Sequence, residues 1–383
     1  MEIKKIFFLL IITFFIYSCS DKIDSSKEPK IKVARSFLEL KVNDSTSNIS
    51  RGLQAFNNEG HEILFNINWG LNSLQIYNLE DSKLIKEIFF ETEGEKSVGR
   101  IFGFHVHSLD SIFLFSQRTS EFSIIDTAYN IKDKIEYTAP DVYSNAFVHN
   151  SYFLSTPILI DNKLIVKTHI QGNYRSMTNA ELEKKSISYS IDIKSGETEL
   201  LVQKYPEDYL NEGLKFYEYS MAGHEDQIVF SFFGDHRLFY TSKEDENKLQ
   251  STVAKSKYLA DKLPLFPVNG AREETYEYLF ASDHYESLLY DKYRDLYYRF
   301  AYPQQKFENI EDLQRFRDAP DSFSLMILDG DLNIIEEILF DESRLVPNNV
   351  FVGKKGLYIS TSHPLNPEMK EDKMIFDLVE VKM

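Results

Sequence analysis

Short apolar runs alternate with tight polar turns along most of the chain. Six of the turns are rich in Gly, Asn, Asp and Ser, the residue types that turns require; they lie at 57–60, 107–110, 161–163, 223–226, 291–294 and 353–356. Each is followed by a run of mainly β-branched and aromatic residues, at 63–67, 112–116, 164–170, 228–232, 296–302 and 357–361. The alternation within the runs has a period of two, which predicts β-strands and disfavours helical repeats.

A second marker follows each of these strands. It is an apolar strand that ends in Asn or Asp, found at 74–78, 122–126, 188–192, 325–329 and 374–377, with a degenerate copy at 238–241. Asn78 and Asp126 are 48 residues apart, as are Asp329 and Asp377. The two markers define a unit of four antiparallel strands, A to D, that occurs about six times. Radial repetition of such units predicts an all-β fold, a six-bladed β-propeller; seven blades would require splitting the region 255–293.

The two ends of the repeat predict how the ring closes. Only six residues follow Asp377, so the last unit lacks its fourth strand, whereas the run 31–41 has no unit of its own. We expect this N-terminal strand to complete the last blade, because that pairing removes two exposed sheet edges. The propeller domain is therefore predicted to span 31–383.

Long connections are predicted on one face of the propeller. A–B and C–D turns lie on one face of a propeller, and B–C and D–A connections lie on the other. The long connections are the B–C segments 171–185, 303–320 and 362–372 and the D–A segment 255–283, with a short helix expected at 272–280. Because function concentrates in loops on a rigid scaffold, this face is where we expect a binding site.

Several basic side chains are predicted at the mouth of this face. B strands end there and A strands begin there, which places together Arg100, Arg118, His169, Lys215, His236, Arg299 and His363. A locally basic mouth would favour an anionic or polar ligand. Acidic loop residues such as Glu308, Glu311 and Asp312 are an alternative source of partners for these charges.

The N-terminus has the features of a secretory signal. Lys4 and Lys5 precede the apolar run 6–17. This run is too short to cross a bilayer core, which needs a helix of about 20 residues. Cys19 directly after Ser18 resembles the lipobox of bacterial lipoproteins, although Tyr17 is bulky for that motif. The resemblance implies a signal peptide at 1–18, cleavage before Cys19 and a lipid such as palmitate on that residue. Residues 19–30 are polar and predict a flexible tether. The alternative is a plain signal peptide or anchor that contains a cysteine.

Composition excludes several classes of partner. The chain has 43 Lys and Arg against 60 Asp and Glu, a net charge of −17. Such an acidic protein is a poor general binder of nucleic acid or anionic lipid, so we expect no nucleic-acid partner. The single Cys excludes an intrachain disulfide and a Cys-based zinc site.

Motifs that carry chemistry are few. His105 and His107 share a strand face and would need a third ligand to bind a metal; we expect a channel residue and a turn residue instead. The segment 329–333 lacks the length and the terminal Glu of a calcium loop. Phosphate-binding glycine loops, Gly-x-Ser-x-Gly and His-Glu-x-x-His are absent from the sequence. The tyrosines between 285 and 302 are suited either to stacking on sugars or to packing between blades. The sequence thus predicts no catalytic residue, no metal and no cofactor.

Two stretches carry a family resemblance. The segments 103–113 (GFHVHSLDSIF) and 290–302 (YDKYRDLYYRFAY), within a match along the whole mature chain, resemble the DUF4221 family of Bacteroidetes lipoproteins. That family is described as TolB-like six-bladed propellers. The resemblance implies the propeller fold and a periplasmic or surface lipoprotein of the bacterial cell envelope. It supplies no catalytic residues.

Two functions remain open at this point. The first is a non-enzymatic binding or assembly propeller, tethered to the membrane by lipid on Cys19, with an envelope protein or a glycan as partner. The alternative is a hydrolase or lyase that acts on a polysaccharide at the mouth of the propeller. Carboxylates that converge in the mouth would favour the enzyme, because glycoside hydrolysis needs two of them across a cleft.

Overall fold

Six small antiparallel sheets form a six-bladed β-propeller. The computed structural model describes residues 30–116, 119–148, 151–172, 174–242 and 245–382. In these parts of the chain, 24 strands form six four-stranded sheets. The predicted fold class and the count of six blades are confirmed. The predicted signal peptide, Cys19 and nearly all of the tether lie outside the described residues.

Blades 1 to 3 follow one another along the chain. Blade 1 contains β2 Leu53–Asn58, β3 His61–Asn68, β4 Ser73–Asn78 and β5 Lys83–Phe89. Blade 2 contains β6 Gly103–Ser108, β7 Ser111–Phe115, β8 Glu121–Ile125 and β9 Ile131–Glu136. Blade 3 contains β10 Ile158–Ile160, β11 Lys163–Lys167, β12 Ser188–Asp192 and β13 Thr198–Leu200.

Blades 4 to 6 repeat the pattern, and the N-terminal strand completes the last of them. Blade 4 contains β14 Tyr219–His224, β15 Gln227–Phe232, β16 Arg237–Ser242 and β17 Asp245–Val253. Blade 5 contains β18 His284–Asp291, β19 Leu296–Tyr302, β20 Phe323–Asp329 and β21 Ile334–Phe340. Blade 6 contains β22 Val346–Gly353, β23 Gly356–Ser360, β24 Lys373–Lys382 and β1 Lys30–Lys41.

The ring closes as the sequence predicts. Strand β1 pairs antiparallel with β24, from Lys30 opposite Lys382 to Lys41 opposite Lys373. The first and last segments of the domain therefore share one sheet, and each covers an edge that the other would leave open.

The helices are short and lie in the connections. They are α1 Asn179–Leu182, α2 Arg272–Tyr276 and α3 Ile310–Asp318, with a 3-10 turn at Tyr174–Ser176 and a π-helical turn at Glu277–Ala281. The helix expected within 272–280 is thus present. Within the described residues, no helix is long and apolar enough to cross a membrane.

The core lies between the blades, and strand β19 shows why. Every residue of β19 is buried, and successive side chains point to opposite faces of the sheet. Tyr298 and Phe300 pack towards Ile359 of blade 6, whereas Tyr297 packs towards Val229 of blade 4. The tyrosines between 285 and 302 that belong to these two clusters therefore serve in packing between blades.

One long connection crosses the propeller axis, and no pattern in the sequence marks it. It joins blade 2 to blade 3, and we call its part at 151–157 the axial segment. The Leu154 carbonyl accepts a hydrogen bond from the Met221 N–H (3.3 Å), and its own N–H donates to the Ser287 hydroxyl (3.2 Å). Ser155 bridges in parallel to Met221. The innermost strands of blades 4 and 5 thus hold the axial segment across the channel.

Candidate functional site

A cavity of about 480 Å³ opens on the face that carries the B–C and D–A connections. We call it the upper cavity. The residues that line it are Thr46, Ser47, Ile49, Ser50, Arg51, Asn66, Ile67, Asn68, Trp69, Gly70, Ser151, Tyr152, Asp318, Val346, Asn348, Asn349 and Pro364. They come from blades 1, 5 and 6 and from the axial segment, which forms the floor. Asp318 and Pro364 belong to two of the long B–C connections that were predicted for this face.

Two β-bulges turn polar side chains towards the axis. In β22 the pairing with β23 is interrupted between Val346 and Val350, which includes Asn348 and Asn349. In β18 the pairing with β19 is interrupted between Tyr285 and Leu288, which includes Glu286. A bulge breaks the strict alternation of a strand and re-aims its side chains. Buried polar residues therefore occur in these two strands where alternation would place apolar ones.

Arg51, Tyr152 and Asp318 form a charged triad in the upper cavity. The Arg51 guanidinium donates to the Tyr152 hydroxyl (3.0 Å) and lies 3.7 Å from the Asp318 carboxylate. The Tyr152 hydroxyl also donates to Asp318. Burial and the adjacent Asp318 raise the pKa of Tyr152 to about 12. Burial opposes ionisation of Asp318, but hydrogen bonds from Arg317 and Tyr152 lower its pKa overall.

Amide and hydroxyl groups of blades 1 and 6 and of the connection between them form a network beside this triad. The Asn66 amide donates to the Gln75 side-chain carbonyl (2.8 Å), and Gln75 donates to the Thr46 hydroxyl (2.8 Å). The Asn349 amide donates to the Ser50 carbonyl (3.0 Å). The side-chain oxygen of Asn349 has no hydrogen-bond partner, and the residue is only 2% exposed. A buried acceptor without a partner is unusual, because burying a polar atom that makes no hydrogen bond costs free energy.

An aromatic row runs from the upper cavity along blades 1 to 3. The Trp69 ring stacks on Phe102 (5.6 Å between centroids), Phe102 packs edge-on against Phe147 (5.7 Å), and Phe147 packs against His169 (4.4 Å). The Arg51 guanidinium carbon lies 6.0 Å from the Trp69 ring centroid. The wall of the cavity on this side is therefore rigid and partly apolar.

Buried charges lie around the axial segment. Lys167 is fully buried, pairs with Glu218 and lies 4.7 Å from the Tyr219 ring centroid. The His169 Nε2 lies 3.0 Å from the same Glu218 carboxylate. Burial lowers the pKa of Lys167, although Glu218 counteracts it. Burial favours protonation of Glu218, but His169 and Lys167 more than offset this effect and lower its pKa.

Glu286 is the second buried carboxyl near the axis. Burial, together with the charge of Glu218, raises its pKa to about 8. The hydrogen bond from Tyr302 and the charge of Lys167 lower the pKa but only partly offset this effect. When the Asn348 side-chain amide is oriented with its nitrogen towards Glu286, that nitrogen lies 3.1 Å from a Glu286 carboxyl oxygen. Glu286 is thus a protonated hydrogen-bonding group at neutral pH.

The predicted binding residues Arg299 and His236 belong to a contact between blades 4 and 5. Arg299 is fully buried, lies 3.4 Å from the Tyr285 ring centroid and donates to the carbonyls of Ala254 (2.6 Å) and Asp235 (2.7 Å). His236 Nδ1 lies 2.8 Å from the Tyr285 hydroxyl. Burial, followed by the charge of Arg299, lowers the pKa of His236. In this arrangement Arg299 is fully buried and joins two blades.

The other predicted residues also have protein partners. His363 is fully buried, with Nε2 3.2 Å from the Ala319 carbonyl. Lys215 lies 3.9 Å from Glu212, and exposed Arg100 donates to the Trp69 carbonyl (3.2 Å). Arg118 lies outside the described residues. None of the six described candidates lines the upper cavity, and their predicted role in binding stays a prediction.

The carboxylates that pair with these residues differ from the acidic loop residues named in the sequence analysis. Both carboxylates lie in the connection between blades 3 and 4. Glu212 pairs with Lys215, and Glu218 pairs with Lys167 and His169. Asp312 instead accepts from the Glu308 N–H (3.0 Å) and pairs with Arg315 on its own helix. Arg51, Tyr152 and Asp318 carry no sequence motif; the nearest signal is Pro347-Asn348-Asn349, which lies near the start of β22.

A second depression opens on the opposite face, beneath the axial segment. This lower funnel has a volume of about 540 Å³ and receives residues from all six innermost strands, His105, His107 and Lys292 among its lining. Burial, together with the charges of His107 and Lys292, lowers the pKa of His105 to about 3. In the described part of the chain, no group of three or more His, Cys, Asp or Glu residues is placed to hold a metal ion.

Comparisons with known proteins agree with this architecture. DUF4221, a domain of unknown function, matches residues 31–339. The crystal structure of a DUF4221 member from Bacteroides vulgatus superposes with a TM-score of 0.81 at 23% identity, covering 93% of this chain and 99% of that one. A candidate exported protein from Bacteroides fragilis superposes with a TM-score of 0.54 at 10% identity, covering 94% and 98%. No curated protein matches the sequence.

Proposed function

This chain belongs to the DUF4221 family, and we propose that it is a lipid-anchored, non-enzymatic binding propeller of the bacterial cell envelope whose ligand enters the upper cavity. The observation that carries the proposal is the construction of that cavity. Arg51, Tyr152 and Asp318 come from three separate connections and meet in one hydrogen-bonded group. Converging polar groups in a concave site of a few hundred Å³ are typical of small-molecule binding sites.

The direction of strand β1 determines the face from which a tether at Cys19 would leave the propeller. Strand β1 begins at Lys30, opposite Lys382, on the face of the A–B turns and the lower funnel. It runs towards the opposite face, where the connection after Lys41 leads to the lining residues Thr46 to Arg51. A lipid on Cys19 would therefore join the domain on the side opposite the upper cavity.

The enzymatic alternative receives less support from the upper cavity. Among its described lining residues, Asp318 is the one carboxylate, whereas glycoside hydrolysis uses two across the scissile bond. Tyr152, with a pKa of about 12, holds its proton too tightly for an efficient general base at neutral pH. Both features fit a site that binds its ligand without converting it.

The test is capture of envelope components by the full lipidated chain in its native host, followed by mass spectrometry of bound protein and glycan. The variants are Arg51→Gln in the upper cavity and Lys292→Gln in the lower funnel, a matched removal of one cation on the opposite face. We expect Arg51→Gln to abolish recovery of a specific component and Lys292→Gln to retain it. Equal recovery by both variants, or loss with Lys292→Gln only, would overturn the proposal.

A further inference from the structure

The one cation and the one anion among the described residues that line the upper cavity are paired with each other, and the anion, Asp318, also pairs with Arg317 (2.7 Å), which does not line the cavity. Its described lining residues include one cation, Arg51, and one anion, Asp318, and the two lie 3.7 Å apart with the Tyr152 hydroxyl between them. Every other lining residue is an amide, a hydroxyl, an aromatic or an aliphatic residue. An anionic ligand would approach Asp318 as closely as Arg51, and a cationic ligand would meet the converse problem. The pairing therefore favours a neutral ligand.

Hydrogen bonding in the upper cavity calls for a ligand that both donates and accepts. The Asn349 side-chain oxygen needs a donor, which a carboxylate or a fully ionised phosphate does not provide. The Arg51 side chain is 41% exposed, and the guanidinium offers more N–H groups than its bond to Tyr152 uses. A hydroxyl group both donates and accepts, so a ligand with several hydroxyls satisfies both requirements.

The wall between these polar groups is apolar. Ile49, Trp69, Val346 and Pro364 line it, and the Trp69 ring is held in place by its stacking on Phe102. A ligand that fits this wall has C–H faces as well as hydroxyls. Sugar rings combine the two, with hydroxyls around the edge and C–H groups on the faces.

We propose that the upper cavity binds a neutral, hydroxyl-rich ligand, the sugar ring of an uncharged saccharide. One ring hydroxyl donates to the Asn349 side-chain oxygen, another accepts from the Arg51 guanidinium, and a C–H face packs on the apolar wall. This assignment rests on the proposed function, because it names the ligand class for the same cavity. The ring is either a free sugar or the end of an envelope polysaccharide, and both present the same chemistry.

The experiment measures binding by titration calorimetry with the full chain in detergent. The probes are neutral monosaccharides and trisaccharides of glucose, mannose and N-acetylglucosamine, the anionic galacturonate trimer and inorganic phosphate. We expect a neutral saccharide to bind, with affinity reduced about tenfold or more by Arg51→Gln and by Asn349→Leu. Lys292→Gln in the lower funnel should change the affinity less than about twofold. Binding of trisaccharide but not monosaccharide would identify a polysaccharide end, and binding of both a free sugar.

Three outcomes would overturn the assignment. They are tighter binding of galacturonate or phosphate than of every neutral probe, no binding of any neutral probe at about 10 mM, and neutral binding that Arg51→Gln leaves unchanged. Because Asn349→Leu removes a bond to Ser50, its melting temperature is measured in parallel. Arg51→Gln, at a partly exposed position, carries the test if Asn349→Leu does not fold. Failure of the saccharides while Arg51→Gln still abolishes envelope capture would reject the ligand class and leave the proposed function standing.

Discussion

The guanidinium of Arg344 lies 2.9 Å from the carboxylate of Asp377, at the point where the N-terminal strand joins the last blade. The same carboxylate oxygen accepts a hydrogen bond from the Ser36 N–H (2.7 Å). Ser36 lies in the bulge of β1 with a positive φ of 46°, a conformation that needs support from its surroundings. This buried ion pair therefore supports the bulge of β1 at the point where the ring closes.

Removing one partner of that pair should destabilise the fold strongly. We expect Arg344→Met to lower the free energy of unfolding by about 3–5 kcal/mol, because it leaves Asp377 as an uncompensated buried charge. Arg35→Met is the matched control, since Arg35 and Glu342 form an exposed pair whose loss should cost less than about 1 kcal/mol. Urea denaturation measures both variants. Equal effects would show that the Arg344 pair does not hold the closure.

Arg299 should prove structural rather than ligand-binding. Arg299→Lys keeps the charge but loses the planar donors that reach several carbonyls of blade 4, so we expect the free energy of unfolding to fall by about 2 kcal/mol or more. Arg272→Lys, at an exposed position on α2, is the control and should be nearly neutral. Thermal melts and saccharide titration are run on each variant. Reduced saccharide affinity at unchanged stability would instead restore Arg299 as a binding residue.

Glu286 should make stability fall as the pH rises. Its pKa is about 8 in the folded state against an ordinary value of 4.5. The folded protein therefore keeps a proton that the unfolded chain releases. The stability that this proton contributes is fully present below pH 4.5 and is lost as the pH rises through about 8.

Glu286→Gln tests this dependence, because the amide stays neutral at every pH. Melting temperatures between about pH 5 and pH 8.5 should decline less in this variant than in the wild type. Glu218, Lys167 and Tyr302 face the same carboxyl and remain in both proteins, so the difference between the two profiles isolates Glu286. Glu225→Gln, an exposed change in the lower funnel, should keep the wild-type decline. Identical profiles for Glu286→Gln and wild type would contradict the assignment.

Cys19 should be the site of lipid attachment. In Cys19→Ser we expect unprocessed precursor to accumulate and labelling with a palmitate analogue to disappear, because the thiol that carries the lipid is gone. Ser18→Ala, which keeps a small residue before the cleavage point, is the control and should be processed normally. Labelling that survives Cys19→Ser would exclude the lipoprotein assignment.

Local patterns along the chain were sufficient to predict the architecture. Alternation with a period of two identifies each strand, and Asx residues such as Asn78 and Asp126 mark the ends of the third strand of a blade. Strand count alone then required the run 31–41 to join the last blade, and β1 does pair with β24. These features could be read from the sequence because turn chemistry and alternation depend on neighbours only a few residues away.

The candidate site depended on contacts between segments far apart in the chain. Arg51 and Tyr152 are 101 residues apart, and Tyr152 and Asp318 are 166 residues apart. Two bulges, which alternation does not predict, turn Asn349 and Glu286 towards the axis. Arg299 lies in the middle of β19 and not at its end as predicted, and its burial follows from carbonyls that blade 4 presents across the interface. The sequence thus determined the blades, their number and their closure. The tertiary structure alone decided which polar side chains face a cavity and which are used between blades, because burial depends on what the neighbouring blade supplies.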